Sequence, residues 1–173
     1  MTKAVWPWRW TLLRANEKRI WTLHPGKRVK SVLSFVELDT DAGISLHDIT
    51  PDIKAAVAKS GIKNGFVTVT SQHTTTAISI NENEERLVED VKAFLARLVP
   101  PNDRYLHNDI ALRNCPPDEP ENAHSHLAAM LLGSSEAIAL AEGKLVLGQY
   151  QSVMLYELDG PRRRRVSVQV CGE

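Results

Sequence analysis

The 173 residues predict one compact α+β domain, with a largely antiparallel sheet, two main helices and a short third helix. Three observations carry that expectation. The periodicities run strand, helix, two strands, helix, long loop, helix, then a series of short strands. The last of these alternates cleanly, Val166, Val168 and Val170 against Ser167 and Gln169, which is the period of a half-buried strand. The length suits a single domain with a full hydrophobic core.

In chain order, residues 1–30 stand apart as a basic, Trp-rich N-terminal extension, and residues 31–173 form the domain. The extension holds eight Lys or Arg against Glu17 alone, together with Trp6, Trp8, Trp10 and Trp21, all the tryptophans of the chain. Residues 29–38 read as a first strand with Val32, Phe35 and Val36 as apolar members, and a turn follows at Asp41-Ala42-Gly43. Thr50 is expected to cap a helix with Pro51 in its first turn, where a missing N–H is harmless. That helix runs to Ser60, buries Ile53, Ala56 and Val57, and stops at Gly61.

Residues 66–70 and 74–80 read as two strands around His73, and Asn81-Glu82-Asn83 leads into an acidic helix over 84–98. Leu87, Val88, Val91, Phe94, Leu95 and Leu98 form its single apolar stripe, and Pro100-Pro101 ends it. Residues 105–121 are too rich in proline and acids for core, so they predict a long loop. A short helix through 127–132 follows, capped by Asn122 or Ser125 and closed by Gly133. Four strands at 135–140, 144–147, 150–158 and 165–171 complete the chain.

Composition excludes several classes. The formal charge is zero, yet residues 31–173 carry the acidic excess, which speaks against nucleic acid as a partner. No apolar run approaches the roughly 20 residues of a membrane span, so no transmembrane segment is expected. Cys115 and Cys171 lack the number or spacing of a disulfide or zinc framework, and a reduced, cytoplasmic setting is expected. The Arg-rich, acid-poor extension leaves organellar targeting open.

Four histidines are candidates for chemistry. His107 and the pair His124 and His126 bracket the acidic loop, while His73 ends a strand upstream. Neutral imidazoles on three separate elements suit an open metal site, although their spacing matches no named motif and scattered surface histidines would read alike. Two steps along a helix turn a side chain by about 200°. His126, beside Leu127 and one turn before Met130, is therefore expected to face inward and His124 to sit at the rim.

The motifs HTTTAISINEN (73–83), YLHND (105–109), NAHSHL (122–127), LLGSSE (131–136), LVLGQYQ (145–151) and ELDGPRRRR (157–165) resemble the YjbQ family, also called the secondary thiamine-phosphate synthase family. The resemblance spans residues 29–172. It implies a compact α+β fold, a homotrimer, and a histidine cluster near subunit boundaries. It marks His73, His107 and His126 as catalytic and metal-binding residues, and places Asn81, Glu82 and Asn83 in the INEN element, Glu82 being a catalytic candidate. Gln151 matches a family glutamine, with Tyr150 standing where the pattern has Trp, and Arg162 and Arg164 are expected to meet substrate. The loop 109–122 is longer than in shorter members.

The activity implied is condensation of hydroxymethylpyrimidine pyrophosphate with thiazole phosphate, helped by a divalent metal ion, zinc first for imidazole ligands and magnesium as alternative. The partner is then a small phosphorylated metabolite. The rivals are a metal-dependent hydrolase with Glu82 or Asp109 as base, and a non-catalytic trimer that binds a metabolite or metal.

Overall fold

A computed structural model of the chain describes residues 29–173; residues 1–28 of the basic extension lie outside the described residues, and Lys30, expected to end the extension, instead opens the first strand. The elements are β1 (Lys30–Asp39), β2 (Gly43–Asp48), α1 (Thr50–Ser60), β3 (Gly65–Ser71), β4 (Thr76–Asn81), α2 (Glu85–Leu98), α3 (Ala123–Leu132), β5 (Ser135–Ala141), β6 (Lys144–Leu145), β7 (Ser152–Gly160) and β8 (Arg163–Gly172). Every strand pairing is antiparallel. One sheet has the order β1-β8-β3-β5-β6 and the other β2-β7-β4. No helix among the described residues is long and apolar enough to cross a membrane.

The two sheets pack face to face. Val67, Val69, Ile138, Leu140, Val166, Val168 and Val170 from the larger sheet meet Ile78, Val153 and Leu155 from the smaller, and α1 adds Ile53 and Val57. Strand β7 is buried on both faces, because Met154, Tyr156 and Leu158 point the other way, onto Leu95 of α2 and Ala128 and Ala129 of α3. A strand covered on both sides reads as a nearly unbroken apolar run, which is the composition of residues 153–158. The register of β3 on β8 is pinned where Gly65 faces Gly172: a Cβ on either would lie 1.9 Å from a backbone carbonyl oxygen.

Four local expectations are revised. Strand β2 was not foreseen, since its six residues, GISLHD, mix apolar and polar groups at the edge of a sheet and gain their order only by pairing with β7. Thr50 does not cap α1: its hydroxyl accepts the Val153 N–H at 2.8 Å, while Asp48 accepts the Thr50 N–H at 2.9 Å. The cap of α2 is Glu84 rather than the Asn-Glu-Asn segment, its carboxylate accepting from the N–H groups of Arg86 and Leu87. Along the α2 stripe Leu95 is buried, whereas Phe94 and Leu98 are half exposed.

Val166, Val168 and Val170, the alternating apolar residues of β8, form the core between the two sheets and are fully buried. The loop 105–121 holds two single 3-10 turns, Leu106–Asn108 and Ile110–Leu112. Both cysteines are free.

Candidate functional site

Strand β3 ends at Ser71, and residues 72–75 turn the chain across into β4. Gln72 still donates its N–H to the Arg165 carbonyl at 3.2 Å. The Arg165 N–H goes elsewhere, to Nε2 of His73 at 2.9 Å. An imidazole nitrogen that accepts a hydrogen bond carries no proton, so the neutral His73 ring holds its hydrogen on Nδ1. Burial, and then the Arg164 guanidinium, hold the His73 pKa below the usual value, with Glu157 pulling weakly the other way.

Beneath His73 lies a closed polar network. Glu157 is fully buried and takes Arg164 as a two-pronged partner, Nε to Oε2 at 2.5 Å and Nη2 to Oε1 at 2.6 Å. Thr40 Oγ1 and the Asp159 N–H each donate to the same carboxylate at 2.8 Å. Arg164 Nη2 also reaches Thr75 Oγ1 at 3.0 Å. Burial works to raise the Glu157 pKa, but the hydrogen bonds from Arg164, Asp159 and Thr40 outweigh it and hold the carboxylate below its usual range. Arg164, although it borders the cleft, is therefore committed to Glu157; beside it lie Arg163 and Arg162, the latter half exposed and leaning on Asp159 at 3.1 Å.

Helix α3 brings in the second histidine. Its N-terminus is tied down by Asn108, whose Oδ1 accepts the Ala123 N–H at 3.1 Å, and by Asn122, which donates to Asp159 at 2.7 Å. These ties fold the long loop back so that the His107 ring meets the His126 ring edge-on, centroids 4.9 Å apart. Burial, then His107, lower the His126 pKa against the pull of Asp159, and Arg113 adds to the lowering against Glu119.

Two clefts share His73 and His126. One, of about 630 Å³, is lined by those two with Asn122, Asp159, Arg162 and Arg163. The other, of about 530 Å³, adds Ser71, Thr76, Ala129 and Met130. His124 lines neither, so the two histidines of α3 serve different faces. Met130 is strongly exposed and reaches this site from the rim rather than from the core.

The remaining expected residues lie elsewhere. Asn81 closes β4, opposite Ser152, and Gln151 precedes that residue. Five steps at roughly 3.3 Å put Asn81 about 17 Å along β4 from Thr76, next to the His73 turn. Glu82 and Asn83 are exposed beyond it. Asp109 is held by Arg104 at 2.7 Å. His73, His107 and His126 do not converge as ligands: among the described residues no three His, Cys, Asp or Glu side chains are placed to hold a metal ion. The His73 nitrogen facing β8 is already occupied by the Arg165 N–H. Glu157, Asp159 and Thr75 were not foreseen at the site, and Asn122 was expected only as a helix cap, although Glu157 left a trace as the lone acid within residues 153–158.

The family described as UPF0047 protein YjbQ-like matches residues 34–173. A UPF0047 protein of Methanothermobacter thermautotrophicus is 43% identical over 136 residues, covering 79% of this chain and 89% of the relative. The Bacillus subtilis UPF0047 protein YugU is 28% identical over 144 residues, covering 82% of this chain and all of its own. Among solved structures, a YbjQ-like protein of unknown function from Sulfolobus solfataricus superposes with a TM-score of 0.77 at 36% identity, over 84% of this chain and 100% of that one. An uncharacterised conserved protein from Clostridium acetobutylicum gives a TM-score of 0.70 at 34% identity, over 78% of this chain and 97% of that one.

Proposed function

Because this chain belongs to the UPF0047 protein YjbQ-like family, we propose that it is an enzyme that holds a small phosphorylated metabolite between α3 and the β7–β8 turn. One observation carries the proposal: two half-buried imidazoles with lowered pKa, His73 and His126, line the same cleft as the Arg162 guanidinium. Cationic and N–H donors in a partly desolvated cleft favour phosphate oxygens, above all where negative charge grows during reaction.

The reaction implied by the motif resemblance is formation of thiamine phosphate. The bond between the pyrimidine methylene carbon and the pyrophosphate oxygen breaks, the thiazole nitrogen bonds to that carbon, and pyrophosphate departs with the electron pair. Arg162, with Arg163 beside it, would receive the leaving charge. Both substrates react without losing a proton, so His126 would serve as a hydrogen-bonding wall. In the rival hydrolysis the neutral His126 would instead be the base that activates water.

Assembly belongs to the same reading. The Asn81–Gln151 end of β4 and the His73 end are too far apart to act on one small molecule within a subunit. A closed trimer with head-to-tail contacts would set one against the other.

Pyrophosphate release from the two thiamine precursors, set beside phosphate release from a panel of phosphoesters, tests the proposal. For transfer, Arg162→Ala should lower the rate by about 10²-fold and His126→Ala by tenfold or less. The reverse ranking would mark a hydrolase. Pyrophosphate binding without turnover on any substrate would leave only the binding protein.

A further inference from the structure

In a regular antiparallel ladder, opposed residues alternate between pairs that exchange both backbone hydrogen bonds and pairs that exchange none, and the Gln72 N–H to Arg165 carbonyl bond puts those two residues in the first class. Ser71 opposes Val166 at the end of the β3–β8 ladder, so Gln72 and Arg165 come next. Only half of that exchange is made with backbone, Gln72 N–H to the Arg165 carbonyl. The other half is made by a side chain, because Arg165 N–H donates to His73 Nε2. The imidazole takes the place of the last strand carbonyl.

Both flanks of that contact are bolted down. Arg164, the residue before Arg165, is held by Glu157 and by Thr75, two residues after His73. Glu157 is itself filled by Thr40, Asp159 N–H and Arg164, so the network has no slack. On the near side, Ser71 Oγ accepts the His73 N–H at 3.2 Å.

We infer that Glu157, acting through Arg164 and Thr75, is a positioning residue that locks His73 as the Nδ1–H tautomer and presents that N–H, rather than a metal-binding lone pair, to an oxygen of an anionic ligand. The inference rests on reading the cleft as a phosphate site. The ring lines both clefts, so its one free donor serves the wall that they share. In this role His73 is a hydrogen-bond donor to a phosphate or pyrophosphate oxygen, and His126 with His107 stands across from it.

Long-range ¹H–¹⁵N spectra of the full chain at pH 7.5 read the tautomer directly and without ligand. The expected result is a single Nδ1–H form for His73 that equimolar zinc leaves unchanged. An Nε2–H form, or zinc shifting His73 together with His107 and His126, would overturn the inference. Inorganic pyrophosphate is the binding probe. His73→Ala should weaken it about tenfold, the scale of one hydrogen bond to a charged group. His73→Gln, whose amide oxygen can reach the Nε2 position and accept from Arg165 but leaves no donor at Nδ1, should lose as much; full affinity in His73→Gln would overturn the donor role.

Glu157→Gln should yield a mixture of tautomers and a similar loss of affinity. If that variant fails to fold, Thr40→Val loosens the same carboxylate more gently and should show the same mixture in weaker form. Unaltered tautomers in a folded variant would reduce the network to structure alone and overturn the positioning role. Pyrophosphate failing to bind the wild type, beside an Nδ1–H His73, would sink the phosphate reading while the tautomer lock stood.

Discussion

Burial makes the charged ring unfavourable at His73 and His126, so both hold their protons less tightly in the folded chain than at the ordinary histidine value of 6.5. The unfolded chain therefore takes up protons first as the pH falls. Stability from these two residues is complete above about pH 6.5 and declines below it until the lower folded values are passed. Denaturation midpoints should drop between pH 7 and 5, and a His73→Asn/His126→Gln double variant should flatten that slope. Glu157 acts in a lower window: its depressed pKa gives stability that is present above the ordinary carboxylate range and lost as acid protonates it. At neutral pH Glu157→Gln leaves Arg164 buried without its counter-charge. The expected loss is about 3–5 kcal/mol, read by urea unfolding; a loss below 1 kcal/mol would show that the network contributes little.

Among the elements, α2 depends on one side chain at its start, whereas Thr50 at the start of α1 serves a neighbouring strand. Glu84 satisfies two N–H groups at the start of α2, and Glu84→Ala should cost about 1 kcal/mol by thermal unfolding. Thr50→Val is predicted to cost more, roughly 1–3 kcal/mol, because the Val153 N–H on the doubly buried strand would lose its acceptor. The reverse ranking would mean that Thr50 serves α1 as a cap after all. Exposed Phe94 and Leu98 on α2, with Leu127, Met130 and Leu131 on α3, leave this helical face half covered in the single chain.

For the whole molecule, a trimer of 19.3 kDa chains would weigh about 58 kDa by light scattering coupled to size exclusion. A monomeric mass in an active preparation would remove the shared-site reading. Deleting residues 1–28 should leave a folded body with one cooperative transition, because the strand and helix periodicity of the sequence starts after that point. A truncated chain without that transition would make the extension part of the fold.

Much of the fold was legible because periodicity is local. Alternation in β8, the 3.6-residue stripe of α2, and the Gly and Pro stops each depend on residues a few positions apart, and they place the elements nearly where the structure has them. Strand β2 and the partner of Thr50 were not legible, since each is decided by β7, more than a hundred residues away in the chain. The site divides in the same way. Motifs marked His73, His107, His126 and Arg162 among the site residues; three of the four line one cleft, and the fourth, His107, touches His126, which lines it. Only the tertiary structure could assign Arg164 to Glu157, place Asn81 and Gln151 at the far end of β4, and give the inward nitrogen of His73 to the Arg165 amide. A sequence records which groups are available, but a hydrogen bond or buried ion pair is decided by which of them the packing of two sheets leaves within 3 Å.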